Sequence, residues 1–263
     1  MLKLYSSFSL VVICCLFFAD LSYAQNSGDL LLSTGLQFYT NRDEGFSPIK
    51  YKGNTSVSSV GFLLGSEDKT ELYQGDFSFG ILANQAGLTM NEISVGFTSF
   101  TFYHKEKDAQ QGLHLGWSNK NIFNFRRHNE FTNYSNRYDY YSVLGPAARF
   151  ILPFQWKKKS FVWETSASWY LLGIQIKSGY IGAEPENYKN ENSLVDNFFA
   201  TVKPFLPLGN LDVGVSSAVF WKLPATNNRL GLRYQLNYGK LSGIRSIHRY
   251  GQALDVVLNV KLW

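Results

Sequence analysis

Between Leu211 and Lys222 the chain places Leu211, Val213, Val215, Val219 and Trp221 opposite in parity to Asp212, Gly214, Ser216 and Lys222. A period of two marks a β-strand with one apolar face. The pattern recurs along the chain. Leu230, Leu232, Tyr234, Leu236 and Tyr238 alternate with Arg229, Gly231, Arg233, Gln235 and Asn237. Leu254, Val256, Leu258, Val260 and Leu262 alternate with Asp255, Asn259 and Lys261. Tyr73, Phe77, Phe79 and Ile81 oppose Gln74, Asp76 and Ser78, while Leu113, Leu115 and Trp117 oppose His114, Gly116 and Ser118. Tyr138, Tyr140, Leu144, Phe150 and Leu152 oppose Asp139 and Arg149. One segment changes phase: Phe161, Trp163, Ala167 and Trp169 carry the apolar face, then Leu172, Ile174 and Ile176 do. The switch at Leu171-Leu172-Gly173 reads as a turn or as a β-bulge, since one extra residue reverses every later side chain. Phe97 and Phe100 show a second slip near Thr98-Ser99.

Polar connectors separate these runs: short ones at 66–70, 156–160 and 224–228, longer ones at 40–54, 127–137 and 180–193, rich in the Gly, Pro, Asn and Asp of turns. No linker or low-complexity tract divides the chain, so residues 25–263 read as one all-β domain. A soluble sandwich would bury the apolar faces, whereas a transmembrane barrel turns them to lipid. The runs extend over about 11–13 residues, nearer the ~9–11 of a tilted membrane strand than the ~5–6 of a soluble one. Their polar faces carry Arg, Lys, Asp, Asn and Gln with interspersed Gly. Aromatics gather near strand ends, as in Tyr138, Tyr140 and Tyr141 or Phe220 and Trp221, the pattern of interfacial girdles.

The first residues alter the picture of destination. Residues 1–24 read as a cleavable signal peptide, with Lys3, an apolar run from Leu10 to Ala19, and Ser22-Tyr23-Ala24 as the cleavage site. That run is well short of the ~20 residues of a membrane-spanning helix. Cys14 and Cys15 lie inside it behind Val12-Ile13, which disfavours a lipoprotein signal and leaves the mature chain without a disulfide. Lys and Arg number 25 against 20 Asp and Glu, a formal +5, and the only basic run is 157–159, so nothing points to nucleic acid. The chain is 16% aromatic, yet its mean hydropathy is −0.15.

These features together resemble the outer-membrane β-barrel proteins of Gram-negative bacteria: signal peptide, no mature cysteine, repeated amphipathic strands, and a last strand QALDVVLNVKLW ending in an aromatic residue. The resemblance implies an antiparallel up-and-down barrel in the cell outer membrane. It implies an even strand number, and a final strand, Leu254, Val256, Leu258, Val260, Leu262 and Trp263, that serves as the assembly signal for the barrel-assembly machinery. Trp263 stands out of phase with Leu262, Val260 and Leu258. We expect about twelve strands, the phase switch at Leu171-Leu172-Gly173 counting as a break, with ten as the alternative.

Such a barrel is narrower than the 16–18 strands of open porins. Its inward face is expected to carry Asp76, His114, Arg126, Asp139, Arg149, Glu164, Lys203, Asp212, Arg229, Arg233 and Asp255. These charges either pair and plug the lumen or leave a path for a small polar solute with Arg126, Arg149, Arg229 and Arg233 as its basic wall. A lipid-active hydrolase is the rival class. Outer-membrane phospholipases and lipid A deacylases carry a His-x-Ser pair, and none of His104, His114, His128 and His248 has a serine two residues later. His128 and Glu130 are the remaining candidates, and no metal spacing or cofactor loop is present. The third class is envelope binding, through loops 131–141 and 184–192, with outer-membrane lipid, lipopolysaccharide or an envelope protein as partner.

Overall fold

The structure, a computed structural model, describes residues 27–44, 49–104, 111–130, 136–177, 202–242 and 246–263. Residues 1–24, expected from sequence to be a signal peptide, and the 180–193 connector lie outside them. Twelve strands run through the described residues: β1 (Ser27–Asp43), β2 (Tyr51–Gly65), β3 (Lys69–Ala83), β4 (Thr89–Tyr103), β5 (Gly112–His128), β6 (Asn136–Trp156), β7 (Lys159–Tyr170), β8 (Leu172–Lys177), β9 (Lys203–Phe205), β10 (Leu211–Lys222), β11 (Arg229–Leu241) and β12 (Ile247–Lys261). All pair antiparallel, and β12 returns to β1 from Asp29 opposite Lys261 to Asp43 opposite Ile247, closing the sheet. Closure pairs the strand backbones internally, the condition for strands in lipid, and leaves the short β9 with β8 as its one paired neighbour among the described residues.

The twelve strands form ten staves. β6 pairs with β7 through Ala147–Trp156 and with β8 through Asp139–Leu144, so β7 and β8 run in one direction along one stave. β9 and β10 face β8 and β7 in the same way and make up another. The turn reading of Leu171-Leu172-Gly173 is therefore corrected to a bulge. Gly145 and Pro146 of β6 stand opposite Trp169, Tyr170 and Leu171, one residue more, and the Leu171 N–H donates to the Leu144 carbonyl at 3.0 Å. Hence Trp163 and Trp169 point outward before the bulge, and Leu172 and Ile174 after it, while Gln175 turns inward. The bulge presses on Gly145, where a Cβ would lie 1.9 Å from the Trp169 carbonyl oxygen and 2.7 Å from Tyr170 Cα. Overpacking there makes Gly145→Ala cost about 1–3 kcal/mol. The check is the urea midpoint at which the compact form on unboiled gels disappears; an unchanged midpoint would refute it.

The second phase slip is not a break either. β4 runs unbroken through Thr98-Ser99, and Phe102, like Phe100, belongs to the lumen: it is 1% exposed. The reason is that the part of the lumen nearest the termini sets an apolar cluster beside its ion pairs. Ile151, Val162, Ala218, Phe220 and Val257 pack together there with Leu31. Phe220 and, higher up, Tyr141 are thus interior residues rather than girdle residues. The outer face carries exposed Leu36, Phe77, Val95, Leu115, Leu232 and Leu254.

Ten staves also sort the connections. The turns 66–68, 157–158 and 223–228 lie at the end that holds Ser27 and Trp263, hereafter the termini end. Lys157 and Lys158 have φ of 48° and 64°, the two-residue hairpin turn that matches strand twist. β8 ends at Lys177 at the opposite, far end.

Candidate functional site

Inward positions build three tiers of ion pairs. At the far end Arg126, fully buried, reaches Asp139 at 2.5 Å and Asp43 at 3.0 Å. Arg249 shares Asp139 at 2.5 Å, Arg137 reaches Asp43 at 3.5 Å, and Asn124 donates to Asp139 at 3.0 Å. In the middle, Lys120 of β5 crosses to Asp212 of β10 at 2.9 Å, its ammonium over the Tyr170 ring at 5.2 Å. Arg233 of β11 binds Asp255 at 3.0 Å and reaches Ser33 at 2.8 Å and Gln74 of β3 at 3.4 Å, a crossbar over the lumen. Near the termini, Glu164 holds Arg149 at 2.7 Å and Arg229 at 2.9 Å, and Arg229 also holds Asp29 at 2.9 Å. Charges so deeply buried stay ionised only when paired and hydrogen-bonded.

Between the far tier and the crossbar lies a polar chamber of about 250 Å³. Ser94, Ser168, Gln37, Asn237, Tyr39 and Asp76 are among its lining, with Gln74 donating to Asp76 at 2.6 Å. Below the crossbar a smaller cavity of about 80 Å³ is lined by Leu72, Phe100 and Phe220 with Arg149 and Glu164.

Of the inward residues expected from sequence, Arg126 and Asp139 sit in the far tier, Asp212, Arg233 and Asp255 in the middle, and Arg149, Glu164 and Arg229 near the termini. His114 stands opposite Arg149 in register, 2% exposed and bonded to the Gln111 carbonyl at 3.2 Å. Lys203 is half-buried on β9, opposite Gln175. Sequence reasoning missed Asp29, Asp43, Lys120, Arg137 and Arg249. Lys120 shares parity with His114 and Arg126, and Arg249 shares parity with Asp255, so strict period-two extension would have found both.

The far rim carries two histidine clusters. His128 is enclosed, its Nε2 2.6 Å from the Tyr51 hydroxyl and its Nδ1 3.0 Å from Glu130. The Thr89 backbone N–H donates to Glu130 at 2.9 Å and holds that carboxyl below its usual range. His248 is on the outer face, the parity of Leu254 and Val256, and its Nε2 lies 3.1 Å from Ser246 Oγ. Glu44 accepts the Ser246 backbone N–H at 3.1 Å, and bonding from Ser246, with the nearby Arg42, keeps its carboxyl below the usual range. Ser-x-His is the reverse of the order sought in the sequence, although period two puts either order on one face.

No family model and no curated protein matches the chain. Among solved structures, the outer-membrane protease OmpT of Escherichia coli aligns over 92% of this chain and 99% of its own, at 10% identity and a TM-score of 0.50. The translocator domain of autotransporter NalP from Neisseria meningitidis aligns over 99% of this chain and 97% of its own, at 8% identity and a TM-score of 0.42. At such identities the likeness concerns fold alone. A closed antiparallel barrel with apolar residues outside and ion pairs inside has the architecture of the outer-membrane β-barrel proteins, and this chain shares their fold.

Proposed function

We propose that the protein is an integral outer-membrane barrel whose lumen is a gated chamber for a small polar solute, not an open diffusion pore. The observation that carries this reading is the 250 Å³ polar chamber held between the far ion-pair tier and the Arg233 crossbar. A solute crosses only when those pairs exchange partners. A mixed-charge lining with no single-sign ring gives little selection by charge and more by size and hydrogen bonding. Its lipid partners in this reading are the outer-membrane phospholipid and lipopolysaccharide against which the apolar face lies, and its last strand, through Trp263, engages the assembly machinery.

Planar-bilayer recording tests it. Wild-type protein is expected to be silent or to show brief, rare openings, and Arg233→Ala to raise mean conductance severalfold by removing the bond network to Asp255, Ser33 and Gln74. A steady wild-type current overturns the gate. Silence in Arg233→Ala paired with Arg126→Ala shows a permanent plug and overturns the passage.

A further inference from the structure

We propose that Ser246, His248 and Glu44 form an esterase site on the outer wall of the far rim, acting on the acyl ester of an anionic amphiphile such as a phospholipid. Nucleophile and base are already in contact: Ser246 Oγ is 3.1 Å from His248 Nε2, within the range of a serine activated by an imidazole. Glu44 is tied to the same serine by two backbone-mediated bonds, its N–H to the Ser246 carbonyl at 3.0 Å and its carboxylate to the Ser246 N–H at 3.1 Å. Glu44 thereby fixes the serine backbone beside the imidazole.

The surroundings define the substrate. His248 stands in register between Arg42 of β1 and Lys240 of β11, so two cations flank the pair on the same face. Arg42 is 3.2 Å from Glu44, and both side chains remain over a third exposed or nearly so, at 39% and 33%. Two residues toward the middle of the wall, Tyr238 opposes Tyr250, and beyond them Phe38, Leu36 and Leu254 are exposed. An aromatic band above an apolar wall marks the membrane interface, the depth at which lipid ester groups lie. The site thus opens sideways to lipid instead of into the lumen, with acyl chains below it and phosphate beside Arg42 and Lys240.

The chemistry balances as acyl transfer to water. Ser246 Oγ bonds to the ester carbonyl carbon as its proton passes to His248. The ester C–O bond breaks, and the departing alkoxide takes that proton. Water then gives a proton to His248 and attacks the acyl-serine, which releases the fatty acid and restores the hydroxyl.

The test uses mature protein folded in detergent, with compact migration of unboiled samples as the folding check. Wild type is expected to release fatty acid from phosphatidylglycerol in mixed micelles and from p-nitrophenyl palmitate. Ser246→Ala and His248→Gln are each expected to lose about a hundredfold or more, and an alkyl fluorophosphonate should label Ser246 in wild type alone. Lys240→Gln should weaken phosphatidylglycerol turnover severalfold more than turnover of the uncharged ester. Folded wild type that neither releases fatty acid nor takes the label overturns the proposal, as does equal release by Ser246→Ala. Bilayer conductance has no bearing on these outcomes, so this site and the gated lumen fail separately.

Discussion

Arg126→Ala is expected to cost about 3–5 kcal/mol of unfolding free energy, because it strips one partner from a buried ionic network and strands the others. Arg126 is 0% exposed and serves Asp43 and Asp139 at once. Asp139 keeps Arg249 and Asn124, and Asp43 keeps Arg137 at the longer 3.5 Å. Both carboxylates lose their shared cation, and Asp43 lies at the last rung of the β1–β12 closure. Urea unfolding of the barrel in lipid vesicles measures it. A change below about 1 kcal/mol, the value of an exposed pair, would mean that water already reaches this tier. The companion Arg126→Met/Asp43→Asn should recover part of the loss, since it removes one of the two buried carboxylates that Arg126 balances.

The second large effect concerns the outer wall. Leu36 is 68% exposed and stands midway along β1, opposite Leu254 on one side and Ser56 on the other. On a soluble protein, Leu36→Arg would be nearly neutral, because an exposed leucine gives up little on replacement. Facing hydrocarbon, it is expected to cost about 2–4 kcal/mol, the depth-dependent penalty for arginine on the lipid face. Leu208→Arg supplies the comparison. Leu208 is 91% exposed on the Leu206–Asn210 excursion between β9 and β10, close to the far rim where Asn210 bonds Ser242. There the penalty should fall to about 0–1 kcal/mol. Equal, small effects at both positions, read by the same vesicle unfolding, would place the wall in water and defeat the barrel-in-membrane reading.

How much of this could be read from residues alone follows from where period two holds. It holds wherever one face meets lipid and the other the polar lumen, and so the strands around Arg233, Asp255, Glu164 and Asp139 were legible with their facing. It fails in two circumstances. Near the termini the lumen carries an apolar cluster, so Phe102, Val162 and Phe220 make both faces greasy there, and Phe100 imitated a phase slip. Beyond the apolar wall both faces are polar, so the far ends of β1 and β5, with Asp43 and His128, read as connectors although the ladder continues. The bulge was ambiguous for a third reason. A turn and a one-residue insertion leave the same mark on parity, and only the pairing of β6 with both β7 and β8 separates them. The rim pair Ser246–His248 was missed because the reading looked for a base ahead of its nucleophile and not for the reverse.

The join between β1 and β12 has a kinetic side. Its fifteen rungs link the beginning of the folded chain to its end, from Asp29 with Lys261 to Asp43 with Ile247. Contacts of such sequence separation form late, after the entropy of drawing in everything between them has been met. Until then the nascent sheet has two raw borders, each able to recruit a stray strand from another molecule. Maturation is thus a race between self-recognition of the two outermost strands and aggregation, and whatever shields those borders during the wait decides the yield.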